Sequence, residues 1–166
     1  MADKIYTRSG DKGETSLGDG RISKDNLKIE VLGNIDELNS IIGANDDDAC
    51  ILIEELHDIQ RDLLTIGALL STSNGQLDKG RIKEMENKID FFSEKLPELK
   101  DLILPLGYLH IARAVCRRTE RSIVKLSRQE EVPPEILAYF NRLSDLLFVM
   151  ARYSHNLKGL HDMTWK

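Results

Sequence analysis

The stretch Arg113–Arg128, "RAVCRRTERSIVKLSR", decides how this chain folds. On an α-helix each position advances about 100°. Ile111, Ala112, Val115, Cys116, Thr119, Ser122, Ile123 and Leu126 then fall on one face, the stripe a helix buries. Arg113, Arg117 and Glu120 cluster within roughly 60° on the other side. Six basic residues and one acid lie between Arg113 and Arg128. The plain interpretation is a solvated basic face with i,i+4 pairing. The sharper one is an anion site, since planar guanidinium forks suit phosphate oxygens and Glu120 is placed to hold one fork.

Working outward, the same period recurs four more times. A first helix runs from Asn26 or Lys28 to Ala44, with Leu32, Ile35, Leu38 and Ile42 on one side. Asn45 to Asp48, "NDDD", break it and leave acids at the start of the next helix, where its dipole favours them. The second helix carries Leu52, Leu56, Ile59, Leu63, Ile66 and Leu70 as far as Thr72, and "STSNGQ" follows as a loop. The third has Ile82, Met85, Ile89, Phe92 and Leu96 at bundle-like spacing. Pro97 and Pro105 bracket a connection to the fourth helix, Gly107 to Gln129, which "EVPP" stops. The fifth, Glu135 to Asn156, carries Ile136, Phe140, Leu143, Leu147 and Met150, with Asn141, Asp145, Phe148 and Arg152 lined up away from them. On the first helix Asp36, Asn39 and Ser40 form a similar polar line, offering a carboxylate to an arginine. Short connections imply antiparallel neighbours. The expected fold is all-α: a five-helix up-and-down bundle in a single domain over residues 1–166, preceded by an irregular N-terminal segment.

Composition agrees. The 166 residues are 31% charged, 41% hydrophobic and 5% aromatic, a mix suited to packed helices. A net charge of −5 argues against general nucleic-acid binding. Cys50 and Cys116 lack Cys-x-x-Cys spacing and read as two buried free thiols in a reducing cytosol. "MADKIYTRSG" has no apolar core of a signal peptide, and no run approaches a membrane span, so a soluble cytoplasmic protein is expected.

One segment does not fit the helical pattern. Tyr6–Arg21, "YTRSGDKGETSLGDGR", holds four of the eleven glycines and five hydroxyl side chains. Glycines admit a polyanion to the backbone, N–H and hydroxyl groups donate, and Lys12 or Lys24 adds charge. It is not G-x-x-x-x-G-K-[ST], and no strand precedes it, which excludes a Walker-type nucleotide fold. Taken alone, a mobile tail or a β-turn accounts for it better than a phosphate loop.

Taken together, "YTRSGDKGETSL", Lys24, "GNIDELNSIIG", "ILPLG", "RAVCRRTERSIV" and "YFNRLSDLLFVMAR" resemble the PduO-type ATP:cob(I)alamin adenosyltransferases, in order, from Ile5 to Arg152. The resemblance implies transfer of the 5′-deoxyadenosyl group of ATP to a corrinoid cobalt, with triphosphate released. It implies a homotrimer with sites between subunits, Mg²⁺ accompanying ATP, cobalamin as substrate, and a flavoprotein-type reductant as partner. Residues 1–25 would wrap ATP through Thr7, Arg8, Ser9, Gly10, Asp11, Lys12, Gly13, Thr15 and Ser16, with Lys24 on a phosphate. Arg117, Arg118, Thr119, Glu120 and Arg121 would complete the ATP site with Asn141. Asp36 and Arg113 match a salt bridge across the subunit boundary, and with Arg117 they form the implied catalytic set. Phe148 and Leu102 fall on the corrinoid side. There the family pattern has Phe-x-x-Pro and a glycine-rich stretch; this chain has Leu102 and a connection to Arg113 about five residues shorter. No side-chain nucleophile is needed, since cobalt(I) itself attacks the 5′ carbon, and no side-chain metal site is expected.

Two other readings are open. A ferritin-like metal bundle is suggested by Glu54-x-x-His57, but neither His110, His155 nor His161 has a glutamate three residues before it. A non-catalytic bundle that binds ATP or a corrinoid as sensor or chaperone is compatible with the altered Leu102 region.

Overall fold

Five amphipathic stretches form five helices in the computed structural model, which describes residues 4–44, 52–72, 76–78 and 80–165. Helix α1 is Leu27–Gly43, α2 Ile53–Thr72, α3 Gly80–Ser93, α4 Tyr108–Leu126 and α5 Pro134–Leu157. Local chemistry sets several boundaries. Asn26 caps α1 by accepting from the Lys28 N–H at 2.8 Å. Pro134 opens α5, where its missing N–H costs nothing. Gly107 precedes α4 with φ +83° and ψ 170°, a conformation open essentially to glycine alone. Asn45–Asp48 and Cys50 lie outside the described residues.

Cross-helix pairs give the directions. Lys28 pairs with Glu130 at 3.0 Å, and Asn34 donates to Ser122 Oγ at 3.1 Å, so α4 runs antiparallel to α1. Cys116 Sγ donates to the Phe140 carbonyl at 3.4 Å, while the His110 ring meets Phe148, so α5 runs antiparallel to α4. Asp62 and Asp58 on α2 pair with Arg81 and Lys88 on α3. The helices alternate up and down, with α4 packed between α1 and α5.

The core is continuous through all five. Leu38, Leu63, Leu143 and Phe140 are fully buried. Truncating such a leucine to alanine costs about 2–5 kcal/mol. Inside it, Tyr139 donates to Asp62 Oδ2 at 3.0 Å, and Arg81 donates to the same oxygen at 2.7 Å. Burial, with Asp62 alongside, pushes the Tyr139 hydroxyl pKa well up. Burial likewise pushes the Cys116 thiol up, which keeps it unreactive.

Three expectations need correction. Ile111 is 50% exposed, because Leu109 and His110 take the inward direction at the start of α4. Arg152 does not line up with the solvent-facing residues of α5. It is buried, donating to Asp162 at 2.9 Å and to the Pro97 carbonyl at 2.8 Å. The segment ahead of the bundle is not wholly irregular: β1 Glu14–Leu17 and β2 Gly20–Ser23 form an antiparallel hairpin pairing Glu14 with Ser23 and Leu17 with Gly20. Gly18, at φ +55°, supplies the left-handed turn that a two-residue hairpin loop needs. Beyond α5, the tail returns to pair Ile103 with Thr164.

Candidate functional site

The exposed side of α4 carries a row of cations on a stiff support. Arg117 and Arg121 are exposed, and the Arg117 side chain makes no hydrogen bond or ion pair among the described residues. Arg121 lies back along the helix and donates to the Arg117 carbonyl at 3.0 Å. Arg118 is committed within the chain, ion-paired with Glu37 of α1. Glu120 accepts from Asn141 Nδ2 at 3.3 Å, and Arg142 donates to Asn141 Oδ1 at 2.7 Å. An amide thus joins α4 to α5 beside the free guanidinium. Thr119, expected among the ATP contacts, is fully buried. Its hydroxyl faces α1, donating to the Val115 carbonyl at 3.0 Å and the Asn34 carbonyl at 3.3 Å. Thr119 ties the helix in place rather than reaching the cation row.

Two open grooves meet at Arg121. One, of about 480 Å³, is lined by Pro105, His110, Ile111, Arg113, Ala114, Val115, Arg118 and Arg121. The other, of about 420 Å³, is lined by Glu120, Arg121, Val124, Lys125 and Arg128. Beneath the first lies a cluster that sequence reasoning only half found. Arg113 sits with its guanidinium 5.8 Å from the Phe148 ring centre, and Arg152 approaches the same ring at 5.9 Å. Phe148 is accordingly half-buried under cations, not facing solvent. The Arg113 Nε and the His110 Nδ1 are buried without a partner among the described residues. Burial, with Arg113 and His155 nearby, lowers the His110 pKa from 6.5 to about 4, partly opposed by Asp162. The signal for His110 was its place beside the buried stripe; nothing in the pattern announced its partners. Asp36 is exposed and makes no ion pair among the described residues, so Asp36 and Arg113 do not meet within one chain.

The N-terminal segment is drawn in on itself. Thr7 and Ser9 share a hydroxyl hydrogen bond of 2.8 Å, and Arg8 adopts φ +61°. Lys24 Nζ donates to the Gly10 carbonyl at 3.0 Å. Asp11, Lys12 and Gly13 form the exposed turn, while Thr15 and Ser16 lie on β1 opposite Ile22 and Arg21. No hydrogen bond or ion pair joins this segment to α4 among the described residues. It sits instead near the end of α2, where a Cβ on Gly18 would meet the Ser71 carbonyl at 3.6 Å.

Leu102 is 73% exposed, in the segment that pairs with the C-terminal tail: Leu104 N–H donates to the Met163 carbonyl at 2.7 Å, and Trp165 N–H to the Leu102 carbonyl at 2.8 Å. No group of three or more His, Cys, Asp or Glu among the described residues could hold a metal ion. Glu54 and His57 both face outward on α2, which removes the inward ligand set that a ferritin-like site requires. No helix among the described residues is long and apolar enough to cross a membrane.

A five-helix bundle with an N-terminal hairpin and an arginine-bearing α4 defines a class, and the chain falls within a known one. It matches the cobalamin adenosyltransferase family over residues 5–154 and belongs to that family. It is 39% identical to a corrinoid adenosyltransferase of Bacillus subtilis, covering 98% of this chain and 92% of that protein. It is 40% identical to a cobalamin adenosyltransferase of Cupriavidus metallidurans, covering 98% and 94%. Among solved structures it resembles a PduO-type ATP:corrinoid adenosyltransferase of Lactobacillus reuteri. One variant of that protein, complexed with ATP, has a TM-score of 0.92 and 34% identity, with 98% of this chain and 100% of that one covered. Another, complexed with cobalamin and ATP, also has a TM-score of 0.92, at 35% identity and 98% and 99% coverage.

Proposed function

We propose that this chain transfers the 5′-deoxyadenosyl group of ATP to the cobalt of a reduced corrinoid. The cobalt(I) electron pair forms the Co–C bond, the bond from C5′ to the triphosphate oxygen breaks, and triphosphate leaves with the electron pair of the broken C5′–O bond. The observation that carries the reading is the unpaired guanidinium of Arg117. It stands free beside Arg121 and the Glu120–Asn141 bridge, in a chain whose relatives are named for this reaction. Charge building on the departing triphosphate is what a preset cation stabilises, and the gain is larger in a site that excludes water. The protein's remaining task is alignment of C5′ with cobalt.

The site is completed by a second copy of the chain, in a homotrimer. Supporting this, among the described residues Asp36 is exposed without an ion pair, the Arg113 Nε is buried without a partner, and the N-terminal segment makes no hydrogen bond to its own α4. Thr7 to Gly13, Thr15, Ser16 and Lys24 of one subunit then close over Arg117, Glu120 and Arg121 of the next. Mg²⁺ arrives bound to the phosphates, as it usually does where no protein cage is built for it. The corrinoid sits toward Phe148 and Leu102, a flavoprotein-type reductant supplies electrons, and the reaction takes place in the cytoplasm.

The test is anaerobic. Chemically reduced cobalamin and MgATP should give the light-sensitive Co–C spectrum with release of triphosphate. ATP binding without turnover would instead favour a sensor or chaperone. Turnover with cobalt(I) but none with cobalt(II) and reductant would restrict the defect to the Leu102 region.

A further inference from the structure

Two cations on β2 and just after it grip successive carbonyl groups of the N-terminal loop. Arg21 donates from its terminal nitrogen to the Ser9 carbonyl at 2.6 Å and from Nε to Glu14 at 3.2 Å. Lys24 takes the next carbonyl, that of Gly10, at 3.0 Å. An exposed pair such as Arg21 and Glu14 adds little stability by itself. Holding the hairpin together does not require it either, since β1 and β2 are already paired through their backbones.

The consequence for the loop is orientation. In a trans peptide the C=O and N–H lie in one plane and point in opposite directions. Holding the Ser9 carbonyl inward turns the Gly10 N–H outward, while the Gly10 carbonyl is held by Lys24 and also accepts from the Gly13 N–H at 3.2 Å. The Gly10 N–H makes no backbone hydrogen bond among the described residues, and that of Asp11 makes only a long one, 3.4 Å to the Arg8 carbonyl. A cation on the carbonyl also polarises the peptide and strengthens its N–H as a donor. Arg8, at φ +61°, supplies the left-handed step at which the loop turns. Gly10 fits this arrangement because a Cβ there would lie 2.9 Å from Lys24 Nζ.

We propose that Arg21 is a positioning residue for ATP: it holds the Ser9 carbonyl so that the Gly10 N–H presents itself to the phosphates. Lys24 is its partner in this, acting through the Gly10 carbonyl. This rests on the adenosyl-transfer reading above and adds to it a residue that reads ATP without touching it.

The experiment compares Arg21→Ala and Arg21→Lys with the unaltered protein, using chemically reduced cobalamin and a titration of MgATP. Arg21→Ala should raise KM for ATP about tenfold, leaving kcat, KM for cobalamin and the melting temperature little changed. Arg21→Lys should recover part of the loss, since an ammonium can hold one carbonyl but not brace on Glu14 as well. An unchanged KM for ATP in Arg21→Ala would overturn the inference, as would a kcat that falls together with the melting temperature. Absence of adenosyl transfer by the unaltered protein would overturn the proposed function itself, a different result from either.

Discussion

Arg118 is ion-paired with Glu37, while its neighbour Arg117, one position earlier on the same helix, has no acidic partner among the described residues. Consecutive arginines on α4 are therefore not equivalent. The first is available to a ligand, and the second must exchange a carboxylate for it.

Arg117→Ala should lower kcat by about 100-fold or more, the scale seen when one preset donor to a developing negative charge is lost. Its melting temperature should stay unchanged, because that guanidinium makes no hydrogen bond or ion pair among the described residues. Steady-state kinetics beside a thermal melt check both. Near-normal turnover would remove Arg117 from the site. Arg118→Ala should cost less activity, and at most about 1 kcal/mol of stability for an exposed pair.

Asp36→Asn should weaken association between subunits without unfolding them, because a neutral amide offers no opposite charge to the Arg113 guanidinium, whose Nε has no partner among the described residues. Sedimentation velocity over a range of concentrations reads this directly. Unchanged association with full activity would show that Asp36 and Arg113 do not pair.

The His110 imidazole makes a prediction for pH. Its folded pKa, about 4, lies below the ordinary 6.5, so between those values the unfolded chain holds more protons at this site. Stability then rises with pH across that window. It is fully present above 6.5 and lost on acidification toward 4, by as much as roughly 3 kcal/mol. The groups that set this are the buried ring itself, Arg113 and His155, opposed by Asp162. Urea unfolding at several pH values should show a shallower slope for His110→Phe than for the unaltered chain. Parallel slopes would contradict it.

Arg81→Ala should cost about 2 kcal/mol by stranding Asp62, whose Oδ2 receives both Arg81 and Tyr139 in a mostly buried position. Tyr139→Phe should cost nearer about 1 kcal/mol, since Asp62 keeps its arginine. Denaturant midpoints separate the two. An Arg81→Ala midpoint unchanged from the unaltered chain would show that this network contributes nothing.

The five helices were legible because each carries a buried stripe at helical spacing: Val115, Thr119, Ser122 and Ile123 on α4 are buried as the period requires. The hairpin was not, since "ETSL" and "GRIS" are too short and too polar for an alternating pattern to show; what pairs them is a turn at Gly18. Arg152 misled because its partners, Asp162 and the Pro97 carbonyl, come from segments with no period at all. The cation row on α4 was readable as charge, but which members are free and which are spoken for depends on α1, through Glu37, and on α5, through Asn141. Arg21 escaped notice because its role lies in a carbonyl it holds, and backbone partners leave no trace in side-chain spacing.

In the proposed assembly the arm of one subunit and the α4 arginines of the next close around the same triphosphate. Co-expression of two impaired variants tests this most directly: Arg117→Ala with its arm intact, and a chain lacking residues 1–13 with its α4 intact. Mixed assemblies contain interfaces in which an intact arm meets an intact α4, so adenosyl transfer should rise well above the small residual activity that each variant shows alone. Mixed assemblies that form, bind both variants and show no such rise would contradict the account.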